Sequence, residues 1–97
     1  MEKLNKPIIV PWDFTHVAEN AFAHAVNVAN TLEREIIILH LVEKESNEKS
    51  ALEKLEVRAK ELTQESKIKV HPLVRSGVIF DEIRGVAHEH KAELVIM

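Results

Sequence analysis

The sequence predicts an α/β fold, with an open parallel sheet carrying helices on both faces. Two observations carry this. Short, continuous apolar runs rich in Ile and Val recur along the chain, and runs of that kind are strands buried on both faces. Between them lie longer segments whose apolar residues recur at helical spacing. Strands alternating with helices require parallel pairing and crossover connections. The order read along the 97 residues is β-α-β-α-β-α-β, within one domain.

The first strand is expected over Pro7–Val10 and the second over Ile36–Leu41, where only His40 breaks the apolar run. Between them Ala18, Ala21, Phe22, Ala25, Ala29 and Leu32 form one helical face, and Thr15 is the expected N-cap. A second helix follows the charged stretch EKESNEKS, with Leu52, Leu55, Ala59 and Leu62 as a narrow apolar stripe. Ser50 with Glu53 fits a capping box, and Ser46 or Asn47 offers an earlier start. The third strand is expected over Lys67–Val74. Pro72 cannot donate to a ladder, which puts that strand at a sheet edge. After Gly77, the residues Ile79, Phe80, Ile83, Ala87 and His90 mark a third helix, with Asp81 and Glu82 favoured by the dipole in its first turn. Gly85 is its weak point, costing about 1 kcal/mol relative to Ala. Glu93–Met97 is the fourth strand. An apolar run reaching the last residue suggests an N-terminal piece of a longer chain.

Composition excludes several classes. A net charge of −3, with 13 basic residues dispersed among 16 acidic ones, leaves no clustered basic patch for nucleic acid. There is no Cys, hence no disulfide or thiolate metal site. No run approaches the roughly 20 apolar residues of a membrane span, and no signal segment opens the chain. A cytoplasmic protein is the default. The six histidines do not make a metal motif: His88 and His90 are two apart on a helix, His16 and His24 two turns apart. No nucleophile stands beside a base at motif spacing, so an enzyme is not expected.

The functional signal is at the end of the first strand, KPIIVPWDFT. In open parallel sheets ligands bind beyond the carboxyl ends of strands, where the strand order reverses. If the first strand is central, Pro11 ends its ladder there. Asp13 then faces a ribose hydroxyl, an adenine amine or a cation, and Trp12 offers a flat face to a base. The alternative is that Asp13 caps the turn and Trp12 packs. No glycine follows the strand, so neither a G-x-G-x-x-G turn nor a P-loop can hold phosphate at this point.

Taken in order, PIIVPWDFT, AENAFAHAVNVANTL, EIIILHLVE, VRSGVIFDEIRGVAHEH and AELVIM resemble the universal stress protein domain over essentially the whole chain. The resemblance implies a Rossmann-like, adenine nucleotide alpha hydrolase-like fold, strand order 3-2-1-4 here with the fifth strand missing. It places Pro11, Trp12, Asp13 and Leu41 around adenine and ribose, with Met97 just before the first glycine of the family's phosphate loop, Gly-x2-Gly-x9-Gly-Ser/Thr. It implies ATP, with Mg, as ligand of the full-length form, bound weakly or not at all by these 97 residues. The function so implied is a stress-response or signalling domain that forms a homo-oligomer. The alternatives are a dimerisation or interaction module that binds no nucleotide, and the first half of a tandem. Two departures from the family are visible: Glu33 where a glycine often ends the first helix, and Trp12 where a smaller residue is usual.

Overall fold

In the computed structural model, described for residues 6–97, four strands form one parallel sheet and three α-helices cover it. The elements are β1 (Ile8–Pro11), α1 (His16–Leu32), β2 (Ile36–Val42), α2 (Glu48–Ser66), β3 (Val70–Ser76), α3 (Ile79–His90) and β4 (Leu94–Val95), with a single 3₁₀ turn, Glu45–Asn47, ahead of α2. The sheet order is β3-β2-β1-β4 and every pairing is parallel. The fold class and strand order read from the sequence are those observed. β1 is central, paired with β2 from Ile8↔Ile36 to Pro11↔Leu39 and with β4 at Ile8↔Leu94 and Ile9↔Val95.

Two apolar layers explain the two-sided strands. Ile8, Val10, Trp12, Ile36 and Ile38 face one way and pack with Phe22, Ala25 and Ala29 of α1 and with Leu55, Ala59 and Leu62 of α2. Ile9, Ile37 and Leu39 face the other way, under Ile83 and Val86 of α3. Each fully buried Ile or Leu contributes about 1.5–3 kcal/mol by leaving water.

β3 pairs only with β2, and its outer edge is closed chemically. Lys69 directs its carbonyl to Ile36 of β2, so residues 70, 72 and 74 direct their backbone groups outward. The Val70 amide donates to Thr63 Oγ1 at 3.0 Å, Pro72 has no N–H, and the Val74 carbonyl faces the Arg75 guanidinium. A second chain finds little to pair with along this edge.

Several boundaries differ from expectation. β3 begins at Val70, three residues late, because α2 runs to Ser66 and Lys67 closes it in the left-handed region at φ 65°. Ser50 does not open α2: the helix starts at Glu48 after Asn47, and the Ser50 hydroxyl donates to the Asn47 carbonyl. Ile79 and Phe80 are exposed by 48% and 63%, not core, because α3 turns Ile83 and Val86 to the sheet. The fourth strand is shorter than Glu93–Met97, although the amides on either side of it, Glu93 and Ile96, bond to the carbonyls of Pro7, just before β1, and Ile9. Glu33 ends α1 in the left-handed conformation at φ 56°, without the glycine that would adopt it freely.

Gly85 lies inside α3, and a Cβ added there would meet no atom within 4 Å. Gly85→Ala is therefore expected to stabilise the fold by about 0.5–1 kcal/mol through lost chain entropy in the unfolded state. A urea midpoint that rises with unchanged slope would show it.

Candidate functional site

The end of β1 is built by competing local bonds. Pro11 pairs with Leu39, and the next amide, Trp12, donates to the Leu39 carbonyl at 2.7 Å. The ladder stops there because the chain turns away. Asp13 accepts hydrogen bonds from both the amide and the hydroxyl of Thr15. Thr15 Oγ1 in turn accepts from the Ala18 amide and caps α1. Thr15 is the N-cap that the sequence suggested. Between Asp13 and Thr15, Phe14 sits at φ 63°, a conformation that costs an aromatic residue about 1–2 kcal/mol. Strain of this kind persists only where the surroundings enforce it, and it gathers at ligand sites.

The surroundings here are aromatic. Trp12 meets Phe14 and Phe22 edge-on, both at 6.3 Å between centroids, and Phe14 meets the His40 ring at 5.0 Å. Lys54 of α2 places its ammonium 4.1 Å from the Phe14 ring centre, and Arg58 lies over Trp12. Glu19 of α1 and Glu61 and Glu65 of α2 pair with Arg58 and hold its guanidinium in the charged form, against the cost of partial burial.

Above these rings, at the carboxyl ends of β1 and β2, lies a cleft of about 260 Å³. Pro11, Trp12, Asp13, Leu41 and Met97 all line it, together with His40 and Ile79. The five residues singled out in the sequence thus meet at one place, on the side of β1 where the strand order reverses toward β4. The role imagined for Trp12 needs correction. Its ring is only 3% exposed and belongs to the core between α1 and α2, so it gives a base no open face to stack on. Its Nε1 is buried without a hydrogen-bond partner.

Asp13 is the charged liner of this cleft and is itself exposed. The Thr15 hydroxyl holds its carboxyl below the usual range against the cost of desolvation, aided by the Thr15 amide and the nearby His40. At neutral pH it is a carboxylate with lone pairs to spare. His40 was not singled out from the sequence, although it alone interrupts the apolar run of β2, and that was the available signal. Its Nδ1 lies 2.7 Å from the Trp12 carbonyl. A carbonyl only accepts, so Nδ1 carries the proton. Among the described residues no Lys, Arg or Gly lines the cleft.

A second, more open groove of about 570 Å³ runs between α2 and β3, lined by Val57, Lys60, Thr63 and Lys69 among others. Among the described residues no group of three His, Cys, Asp or Glu side chains could hold a metal ion. No helix there is long and apolar enough to cross a membrane.

Comparison with known proteins settles the family. A family model described as the universal stress protein family matches residues 5–97. The chain belongs to the universal stress protein family. It is similar to a universal stress protein of Methanocaldococcus jannaschii, 27% identical over 112 aligned residues covering 99% of this chain and 65% of that protein. The chain therefore spans about 65% of that relative's length. Among solved structures it resembles a universal stress protein of Archaeoglobus fulgidus, with TM-score 0.78, 27% identity, and 93% of this chain against 32% of that one. It also superposes on a universal stress protein crystallised in complex with cAMP, with TM-score 0.74 and 17% identity, covering 98% and 77% of the two chains. At that identity the likeness concerns the fold.

Proposed function

We propose that this domain binds the base and sugar of an adenine nucleotide in the carboxyl-end cleft, and acts in stress response or signalling as a binding domain, not an enzyme. The observation that carries the reading is the meeting of Pro11, Asp13, Leu41 and Met97 around one apolar cleft at the strand-order reversal, with a carboxylate on its rim. Sheets of this design bind ligands there. A flat base suits the apolar walls, and a ribose diol or an exocyclic amine suits the Asp13 carboxylate. The cAMP complex of a structural relative supports the choice of adenine.

The cleft is small for a whole triphosphate, since small-molecule sites usually hold roughly 300–1,000 Å³. Among the described residues its only fully charged side chain is the negative one of Asp13, which repels phosphate. ATP with Mg therefore fits through its adenosine part alone: Leu41 and Met97 hold the base, Asp13 holds the sugar, and these residues give the phosphates no partner. Mg-ATP would add only the charge neutralisation of its phosphates.

Calorimetry at neutral pH tests the reading. Adenosine is expected to bind with Kd on the order of 0.1–1 mM, and ATP no tighter than about 1 mM. No heat from adenosine at several millimolar would end the proposal. Micromolar ATP binding would show that phosphate contacts dominate.

A second reading, self-association as an interaction module, is favoured by one observation. Leu94 of β4 is 45% exposed on a strand that pairs on one side only. Such an edge recruits another chain. Sedimentation is expected to show a species larger than a monomer, and a clean monomer at high concentration would remove this reading.

A further inference from the structure

His40 stands at the cleft with its two ring nitrogens in different situations. Nδ1 is committed to the Trp12 carbonyl, and the ring meets that of Phe14 in a T-shaped contact. Because Nδ1 holds the proton, Nε2 of the neutral ring is a bare acceptor, and no described side chain or backbone group hydrogen-bonds to it. In an imidazole the two nitrogens lie on either side of Cε1, so Nε2 is turned from the Trp12 carbonyl, and His40 is one of the residues that line the cleft. The cleft then offers two acceptors, Asp13 and Nε2, and no charged donor.

We propose that His40 selects the ligand. In its neutral form it accepts a hydrogen bond from an amine or hydroxyl of an uncharged nucleoside. On taking a proton, the same nitrogen becomes a cationic donor that favours a phosphorylated ligand. This deepens the adenine reading and rests on it. Protonation leaves the bond to Trp12 intact, so the switch needs no movement of β2.

The charges around His40 are few and accounted for. Asp13 faces it from the loop after β1 and stays ionised well below neutral pH, because Thr15 holds its carboxyl down. Lys54 of α2 lies over the same Phe14 ring that meets His40. On β3 its partner is Val74, and the adjacent Arg75 is paired with Glu89 of α3. On α1, Glu19 is held by Arg58. His16, almost fully exposed at the start of α1 beside Glu19, is a further imidazole. A comparison with a His40 variant separates the two.

Asparagine can keep the donor to the Trp12 carbonyl through its amide but has nothing at the Nε2 position, so His40→Asn removes the acceptor and preserves the strand end. The probes are adenosine and cAMP. The diester of cAMP keeps one charge between pH 8 and pH 5.5, whereas a phosphate monoester changes its own charge near pH 6. Imidazole ¹⁵N spectra and titrations of both ligands are recorded at the two pH values for the 97-residue chain and for His40→Asn. Expected are an Nδ1–H tautomer of neutral His40 and about tenfold weaker adenosine binding in the variant at pH 8. The affinity of cAMP relative to adenosine should rise about fivefold at pH 5.5 in the parent only. An Nε2–H tautomer, a parent ratio that ignores pH, or a variant that keeps the pH dependence would each overturn the role of His40 while leaving adenine binding intact. Absence of binding by both ligands would overturn the adenine reading and this proposal together.

Discussion

Trp12→Ala is expected to lower the unfolding free energy by about 3–5 kcal/mol. That is a large share of the roughly 5–15 kcal/mol available to a domain of this size. The ring is 3% exposed, meets Phe14 and Phe22 edge-on and lies under Arg58, so its removal leaves a cavity lined by three elements. It also frees Phe14 from the packing that holds its left-handed backbone. Trp12→Phe should cost far less, on the order of 1 kcal/mol, because it removes an indole N–H that has no partner along with the lost contacts. Urea unfolding of both variants checks this. A loss below about 1 kcal/mol for Trp12→Ala would mean that the ring packs loosely and could be free to cover a ligand.

Asp13→Ala is expected to weaken adenosine binding ten- to a hundredfold, the worth of a hydrogen bond to a charged acceptor at about 1.5–3 kcal/mol. It should also loosen the start of α1, because Asp13 orders Thr15 and Thr15 caps the helix. Asp13→Asn separates the two effects: its side-chain oxygen still accepts from Thr15, while the charge offered to the ligand is gone. The acid limb gives a further check with a definite sign. The folded carboxyl titrates below its ordinary range, so its contribution to stability is complete at neutral pH. That contribution is lost as the pH falls through the carboxylate range and below. Asp13→Asn should lack this part of the acid-side loss, which is small because the group is open to solvent.

The chain shows which structural facts are local enough to read. The parallel sheet followed from Ile and Val runs, which must be covered on both faces, and the edge position of β3 from Pro72, whereas the strand order came with the family resemblance. The Thr15 cap was legible because it depends on the residue's own side chain and the amides just after it, and the Glu33 helix end was visible only against the glycine of the family pattern. What escaped depends on contacts between distant segments. Leu55 could be placed on an apolar stripe, but nothing in the stripe says that α2 shares its layer with Trp12. Trp12 looked like a ligand wall because strand ends open into crevices, yet the alternation of β1 sends it to the same side as Val10, into the core. Ile79 and Phe80 marked the third helix by their spacing, but the rotation of α3, set by Ile83 and Val86, leaves them exposed. His40 passed as a blemish in an apolar strand. Its meaning lies in the Trp12 carbonyl, 28 residues earlier.

The central claim is that the cleft beyond β1 and β2 receives an adenine nucleoside. Backbone amide shifts of the ¹⁵N-labelled chain titrated with adenosine test it most directly. Saturating changes at Asp13, His40, Leu41, Ile79 and Met97, with Lys60, Thr63 and Lys69 unmoved, are the predicted result. Changes confined to the groove between α2 and β3, or none at millimolar adenosine, would contradict it.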